Sequence, residues 1–139
     1  MDISKKHIGD VVCAIIEKKG AFLLAQRPPG HPLENTWEFP GGKVADGESP
    51  QAAIKREIFE ELHVTIEICE ALTPNDHVYE HLTLTLIPFR CALIKGIPES
   101  VEHSKLAWVN LETVADYQLS GADIPVFEEY KTLRISRTL

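Results

Sequence analysis

The sequence predicts an α/β or α+β sandwich, and three observations carry the prediction. Several short apolar runs rich in β-branched residues read as strands. Ser49-Pro50 opens a segment with helical periodicity. A second helix is expected near the C-terminus, where Val126, Phe127, Tyr130 and Leu133 recur at helical spacing. Strands combined with two substantial helices give a layered sandwich.

The elements follow in order. Ile8 to Ile16 is apolar and β-branched, a buried strand. Glu17-Lys18-Lys19-Gly20 reads as a hairpin turn, with Ala21 to Ala25 as the returning strand. Arg27 to Asn35 holds three prolines and a glycine and reads as a surface loop. Trp37 to Pro40 is short and extended, because a residue before proline avoids the helical region. Gly41-Gly42 reads as a turn. The helix opened by Ser49 as N-cap and Pro50 at its first position runs to about Leu62. Val64 to Leu72 alternates like a strand, and Val78 to Ile94 is a long extended region broken or bulged near Pro88. Leu106 to Val109 is a short strand, Leu111 to Asp116 a helical turn, and Pro125 to Ser136 the last helix.

The whole chain bounds the function. Its 139 residues suit one domain spanning 1–139. With 25% charged and 44% hydrophobic residues, the composition is that of a soluble globular protein. The net charge of −7 argues against long nucleic acid or an anionic membrane as partner, since both require a positive surface. A polyanionic small ligand remains compatible if a metal supplies the charge. There is no apolar run long enough to span a membrane, and the start MDISKKHIGD lacks a signal-peptide core, so the expected location is cytoplasmic. Cys13, Cys69 and Cys91 are expected to be buried reduced thiols.

The chemistry concentrates between Gly42 and Val64. With Ile54 at zero on a helical wheel, Ile58 and Leu62 fall near about 40° and 80° and define the core face. Glu61, Glu57 and Glu60 fall near about 340°, 300° and 240°, an acidic arc beside it. Like charges three and four residues apart destabilise a helix by a few tenths of a kcal/mol per pair. A solvated acidic face is one reading. A bound cation is the other, since carboxylate oxygens suit Mg²⁺, with Mn²⁺ as a substitute. Gly41-Gly42 lets backbone approach a ligand and can offer a carbonyl to the metal. Lys43 follows, placed to meet a phosphate. The residue types agree on metal-assisted phosphate chemistry.

Gly42, Glu48, Arg56, Glu57, Ile58, Glu60, Glu61 and Val64 match the Nudix box, G-x5-E-x7-R-E-U-x-E-E-x-G-U with U aliphatic. Six identical residues at fixed spacing arise by chance at a given start on the order of 10⁻⁷, taking ~6–7% per residue type. Leu23-Leu24-Ala25-Gln26-Arg27, Trp37 to Lys43 and Ala122-Asp123-Ile124-Pro125 also resemble the MutT-type branch, so the resemblance covers nearly the whole chain. It implies a Nudix-type α/β/α sandwich, a mixed sheet between helices. One position departs: His63 stands where the family has its second glycine. That glycine follows the helix, where a left-handed conformation is wanted, and His tolerates that region at a cost of roughly 1 kcal/mol.

By the resemblance, Glu57, Glu60 and Glu61 hold Mg²⁺ with the Gly41 carbonyl, and Arg56 orients them. Glu48 partners Arg56 or a metal water. Glu102 is the candidate general base, with Glu99 as the alternative. His103 reads as a surface or hydrogen-bonded residue. Arg27 and Phe39 are candidate base or sugar contacts, and Asp123 a candidate for the base edge, with helix capping as its alternative. Tyr79 and His81 either line the pocket or are plain strand residues. The implied activity is Mg²⁺-dependent cleavage of a nucleoside triphosphate to monophosphate and pyrophosphate. CTP, dCTP and modified cytosine nucleotides compete with 8-oxo-dGTP as substrate. A non-catalytic nucleotide-binding module, or a DNA-repair domain of the same fold, is the further alternative. The oligomeric state, monomer or homodimer, stays open.

Overall fold

The computed structural model describes residues 5–31 and 33–137. Pro32 of the proline-rich loop lies outside the described residues, as do the first four residues of the segment read as lacking a signal peptide.

β1 (Lys6–Lys18) and β2 (Ala21–Gln26) form the first hairpin. Its turn is only Lys19 and Gly20, with φ of 51° and 82°. Positive φ at both positions matches the twist of the flanking strands. Glu17 and Lys18, expected in the turn, stay in the strand because they pair with Phe22 and Ala21. β3 (Trp37–Glu38) pairs with β2, and β4 (Gly41–Lys43) pairs with β1. The Gly41-Gly42 segment is therefore strand rather than turn, with Gly42 opposite Val12 and Gly41 opposite Cys13.

α1 (Pro50–Leu62) precedes β5 (Thr65–Ala71). The extended region expected over 78–94 is two strands, β6 (Asn75–Val78) and β7 (Leu82–Lys95), paired with each other. β7 runs unbroken through Pro88. Proline forfeits only its N–H, and the Pro88 carbonyl still accepts from the Leu72 N–H at 3.0 Å. The irregularities fall elsewhere, between His7 and Asp10 of β1 and, in the pairing of β5 with β7, between Thr65 and Ile66 and between Ile68 and Glu70. β8 (Lys105–Val109), a 3₁₀ turn (Val114–Asp116) and α2 (Asp123–Arg137) complete the chain.

The sheet is mixed, as expected. Its spine runs β3-β2-β1-β7-β5, and β1 with β7 is parallel while the other strand pairs are antiparallel. β1 alternates between two cores. Cys13 and Ile15 join Val126, Phe127 and Tyr130 of α2, while Val12, Ala14 and Ile16 join Ile54, Ile58 and Leu62 of α1. The two helices therefore cover opposite faces, which is the sandwich. Phe22 anchors the α2 side, its ring 5.4 Å from Tyr130 and 6.1 Å from Phe127. Cys13 and Cys91 are buried, but Cys69 is exposed. The expectation fails there because Cys69 shares the outward face of β5 with Thr65 and Glu67.

An ion-pair chain ties α2 to the sheet. Arg90 meets Glu17 at 2.7 Å and Glu70 at 3.0 Å, and Arg137 grips both oxygens of Glu70. Arg137 and Arg90 hold the Glu70 carboxyl down at about 2. The unfolded chain binds this proton more readily than the folded one. The pairing therefore stabilises the fold above about pH 4.5 and is lost as pH falls toward 2. Glu70→Gln is expected to lower stability at neutral pH by about 0.5–1 kcal/mol, a partly exposed pair being screened by solvent. Urea denaturation should show the deficit shrinking to nothing as pH falls through that window.

Candidate active site

α1 is set by local chemistry. The Ser49 hydroxyl oxygen accepts from the Ala52 N–H at 3.1 Å, and Pro50 opens the first turn. Ile54, Ile58 and Leu62 are fully buried, as the wheel requires. The helix stops at His63, which is left-handed at φ 58° and ψ 35° and donates its N–H to Phe59 O at 3.0 Å. The His63 ring meets Glu99 at 2.8 Å on the exposed surface. The departure from the box is thus a helix terminus met by a tolerant residue.

Arg56 organises the acidic arc. Its Nε and Nη2 each donate to Glu48 at 2.8 Å, Nη1 donates to Glu57 at 2.9 Å and Glu60 at 3.2 Å, and Nη2 also reaches Lys43 O at 3.2 Å. The guanidinium holds the Glu48 carboxyl at about 2. Gly42 lies directly against the Glu57 carboxylate, and a Cβ there would overlap it. Glu60 is the outermost of the three glutamates, its side chain 57% exposed.

Glu61 differs. Its Oε2 is buried without a hydrogen-bond partner. Burial, reinforced by the charges of Glu57, Glu38 and Glu102, pushes its carboxyl up to about 8, with only the Gly41 N–H opposing. Glu57 is also raised, by burial first, against the pull of Arg56.

Glu61 borders a cavity of about 520 Å³. Gly41, Gly42, Lys43 and Glu102 line it too. Phe39, Tyr79 and Asp123 share the same lining. Glu102 therefore faces the cavity, whereas Glu99 is engaged with His63. Phe39 lines the cavity while its ring packs 6.2 Å from Phe22 in the core.

Asp123 begins α2, two residues before the expected start, and is 5% exposed. Its Oδ1 accepts from the Phe39 N–H at 3.4 Å. Burial, then the charge of Glu38, pushes its carboxyl well above the usual range. Asp123 thus presents a buried carboxyl group to the cavity, with the Phe39 N–H opposing the rise. Tyr79 supports it from β6–β7, its hydroxyl oxygen accepting the Ala122 N–H at 2.9 Å. His81 is exposed, its side chain 83% open.

Two residues not singled out for the site also line it. Glu38 receives Arg27 Nη2 at 2.8 Å on one oxygen and His103 Nε2 at 2.8 Å on the other. His103, expected to be surface or hydrogen-bonded, is hydrogen-bonded and buried. A charged residue between Trp37 and Phe39 was the available signal for Glu38. Nothing local marks His103, whose partner lies 65 residues away.

The donors fit a hard divalent cation, because Glu61 presents a buried, unpartnered carboxylate oxygen amid other oxygen donors. Among the described residues, no three His, Cys, Asp or Glu side chains already stand together as a metal cluster. Glu57 and Glu60 are held by Arg56 instead.

The chain is similar to known proteins over most of its length. A family model for the NUDIX domain matches residues 11–129. The chain is 36% identical over 128 residues to the CTP pyrophosphohydrolase of Escherichia coli, covering 92% of this chain and 95% of that protein. It is 38% identical over 88 residues to the 8-oxo-dGTP diphosphatase of Proteus vulgaris, covering 61% of this chain and 76% of the relative. The crystal structure of the MutT protein from Methanosarcina mazei Go1 superposes with a TM-score of 0.81 at 26% identity, covering 96% of this chain and 99% of that one.

The raised Glu61 carboxyl has a sign that can be measured. The unfolded chain releases this proton near pH 4.5 and the cation-free folded chain near 8, so folded stability falls between them. Cation-free Glu61→Gln is expected to exceed the parent in stability at pH 8 by on the order of 1 kcal/mol, with the advantage gone near pH 4. Mg²⁺ should stabilise the parent and not the variant. Urea denaturation with and without Mg²⁺ reads both effects. An equal Mg²⁺ response in the two proteins would remove Glu61 from the cation site.

Proposed function

The chain belongs to the Nudix family of hydrolases, and on that premise we propose that it is a Mg²⁺-dependent nucleoside triphosphate pyrophosphohydrolase acting on CTP, dCTP and 5-modified cytosine nucleotides. The products are the monophosphate and pyrophosphate. The observation that carries the reading is one cavity bordered both by Glu61, with its unpartnered buried oxygen, and by the buried acid Asp123.

Glu57, Glu60 and Glu61, with the Gly41 carbonyl, would hold the cation. Mg²⁺ supplies there the positive charge that a triphosphate demands and polarises a phosphoryl oxygen. Mn²⁺ has the same preference for oxygen donors. Arg56 keeps Glu57 and Glu60 oriented through charge-assisted hydrogen bonds. Lys43 meets the phosphates as a point charge. Glu102, facing the cavity, accepts the proton of the attacking water. Phe39 gives the base an apolar wall, and Arg27 holds Glu38 beside it.

A carboxyl oxygen of Asp123 can accept from the N4 amino group of cytosine. It can equally accept from the N7–H of an 8-oxoguanine. Together with the Proteus vulgaris relative, this supports 8-oxo-dGTP as the second reading. A binding module without turnover finds no support in His63, which lies at the exposed end of α1.

The deciding experiment is to incubate the protein with Mg²⁺ and CTP, dCTP, 5-methyl-dCTP, 8-oxo-dGTP and ADP-ribose and identify the products by chromatography. Pyrophosphate and monophosphate from the cytosine set are expected. Selective loss of 8-oxo-dGTP would establish the second reading, and no turnover of any nucleotide would overturn both.

Glu57→Gln is expected to lower turnover by about 10²-fold or more. Near-parental turnover would contradict its place at the cation. Asp123→Asn adds an amide donor where the carboxyl oxygens accept and should shift the order of bases. Asp123→Leu leaves the base edge unpaired and should cost about 1–3 kcal/mol in kcat/KM for the preferred base. An order of bases unchanged in Asp123→Asn would remove Asp123 from the base edge.

A further inference from the structure

His103 is 7% exposed at its side chain and lines the cavity. Its Nε2 lies 2.8 Å from a Glu38 oxygen. An ionised carboxylate accepts only, so Nε2 carries the proton in that contact, and in the neutral ring Nδ1 is an acceptor. Nδ1 is buried and has no hydrogen-bond partner. Leaving such an atom unpaired costs about 1–3 kcal/mol, which a purely structural histidine would have no reason to sustain. Arg27, the other partner of Glu38, likewise has a buried, unpartnered Nε on the same cavity. Both side chains of this ion-paired group thus keep a polar atom in reserve.

The place of the group narrows what it meets. Glu38 is the carboxylate whose charge bears on both Glu61 and Asp123. His103 sits on Glu38 and follows Glu102 in the chain. A nucleotide with its phosphates toward Glu61 and its base toward Asp123 lays its sugar across this middle. We propose that His103 is a substrate-contacting residue whose Nδ1 accepts a hydrogen bond from a hydroxyl of the nucleotide's sugar. The inference rests on the nucleotide reading above. It adds a sugar-selecting contact which that reading leaves unassigned.

The test crosses protein variants with substrate analogues, using CTP, dCTP and 2′,3′-dideoxy-CTP with Mg²⁺, or the same sugar series on 8-oxoguanine if that is the base cleaved. His103→Phe is expected to lower kcat/KM by about tenfold on the nucleotide bearing the contacted hydroxyl. The dideoxy analogue should stay within about twofold of the parent's value, because the lost bond was never made. His103→Gln keeps an N–H for Glu38 and an acceptor oxygen, and should recover part of the loss. Equal losses across the sugar series would show that His103 acts only through Glu38 or the fold, and would overturn the proposal. If His103→Phe fails to fold, the parent decides, since a parent indifferent to the sugar hydroxyls overturns the contact. A parent that cleaves no nucleotide sinks the nucleotide reading itself. A parent that cleaves them without sugar discrimination sinks only this inference.

Discussion

The approach of α1 to β4 is the constraint on which the site depends. Gly42 meets the Glu57 carboxylate with no room for a Cβ, and Gly41 lies as tightly on the Val12 carbonyl. Without side chains at these two positions the helix can press against the strand, and Arg56 can reach both the Lys43 carbonyl and the Glu48 carboxylate. Distance sets everything that follows. A helix held farther out would put Glu61 into water and relieve the burial that raises its carboxyl. A glycine in an ordinary strand costs stability through its entropy. Here that cost secures contact between backbone and carboxylate.

The distribution of positive charge then sorts the acids. Three glutamates, 48, 57 and 60, share one guanidinium, while Glu61 is reached by the Gly41 N–H alone among the groups that lower it. Across the cavity, Asp123 is likewise shut away from solvent with only a long N–H contact. The net charge of −7 is therefore not spread evenly in its effect. Most acids are solvated or paired, and two are kept in reserve on the cavity wall.

What the sequence revealed follows from how local each signal is. The N-cap at Ser49, the core stripe of Ile54, Ile58 and Leu62 and the acidic arc beside it depend on residues within a few turns of one another, and all were legible. The left-handed end at His63 was readable for the same reason. Strand boundaries were less so. The split into β6 and β7 and the continuity through Pro88 depend on what lies alongside, and a proline in a ladder is judged only when its neighbour's hydrogen bonds are known. Cys69 looked interior because alternation alone does not say which face is covered. Glu38 and His103 were missed as a pair, since 65 residues separate them and no local pattern links them.

The alternation of β1 between two cores has a consequence for how such a site changes over generations. The glutamates ride on α1 against one face of the sheet, and Asp123 rides on α2 against the other. Under the proposed function, the hydrolytic and recognition groups are thus mounted on separate helices and meet at the cavity, where the charge of Glu38 bears on both Glu61 and Asp123. Under that function, residues at the start of α2 and in the turn that carries Tyr79 can change toward a new base while the acidic helix stays put. The division makes this architecture a modular one, in which specificity is a replaceable part and the reaction is inherited.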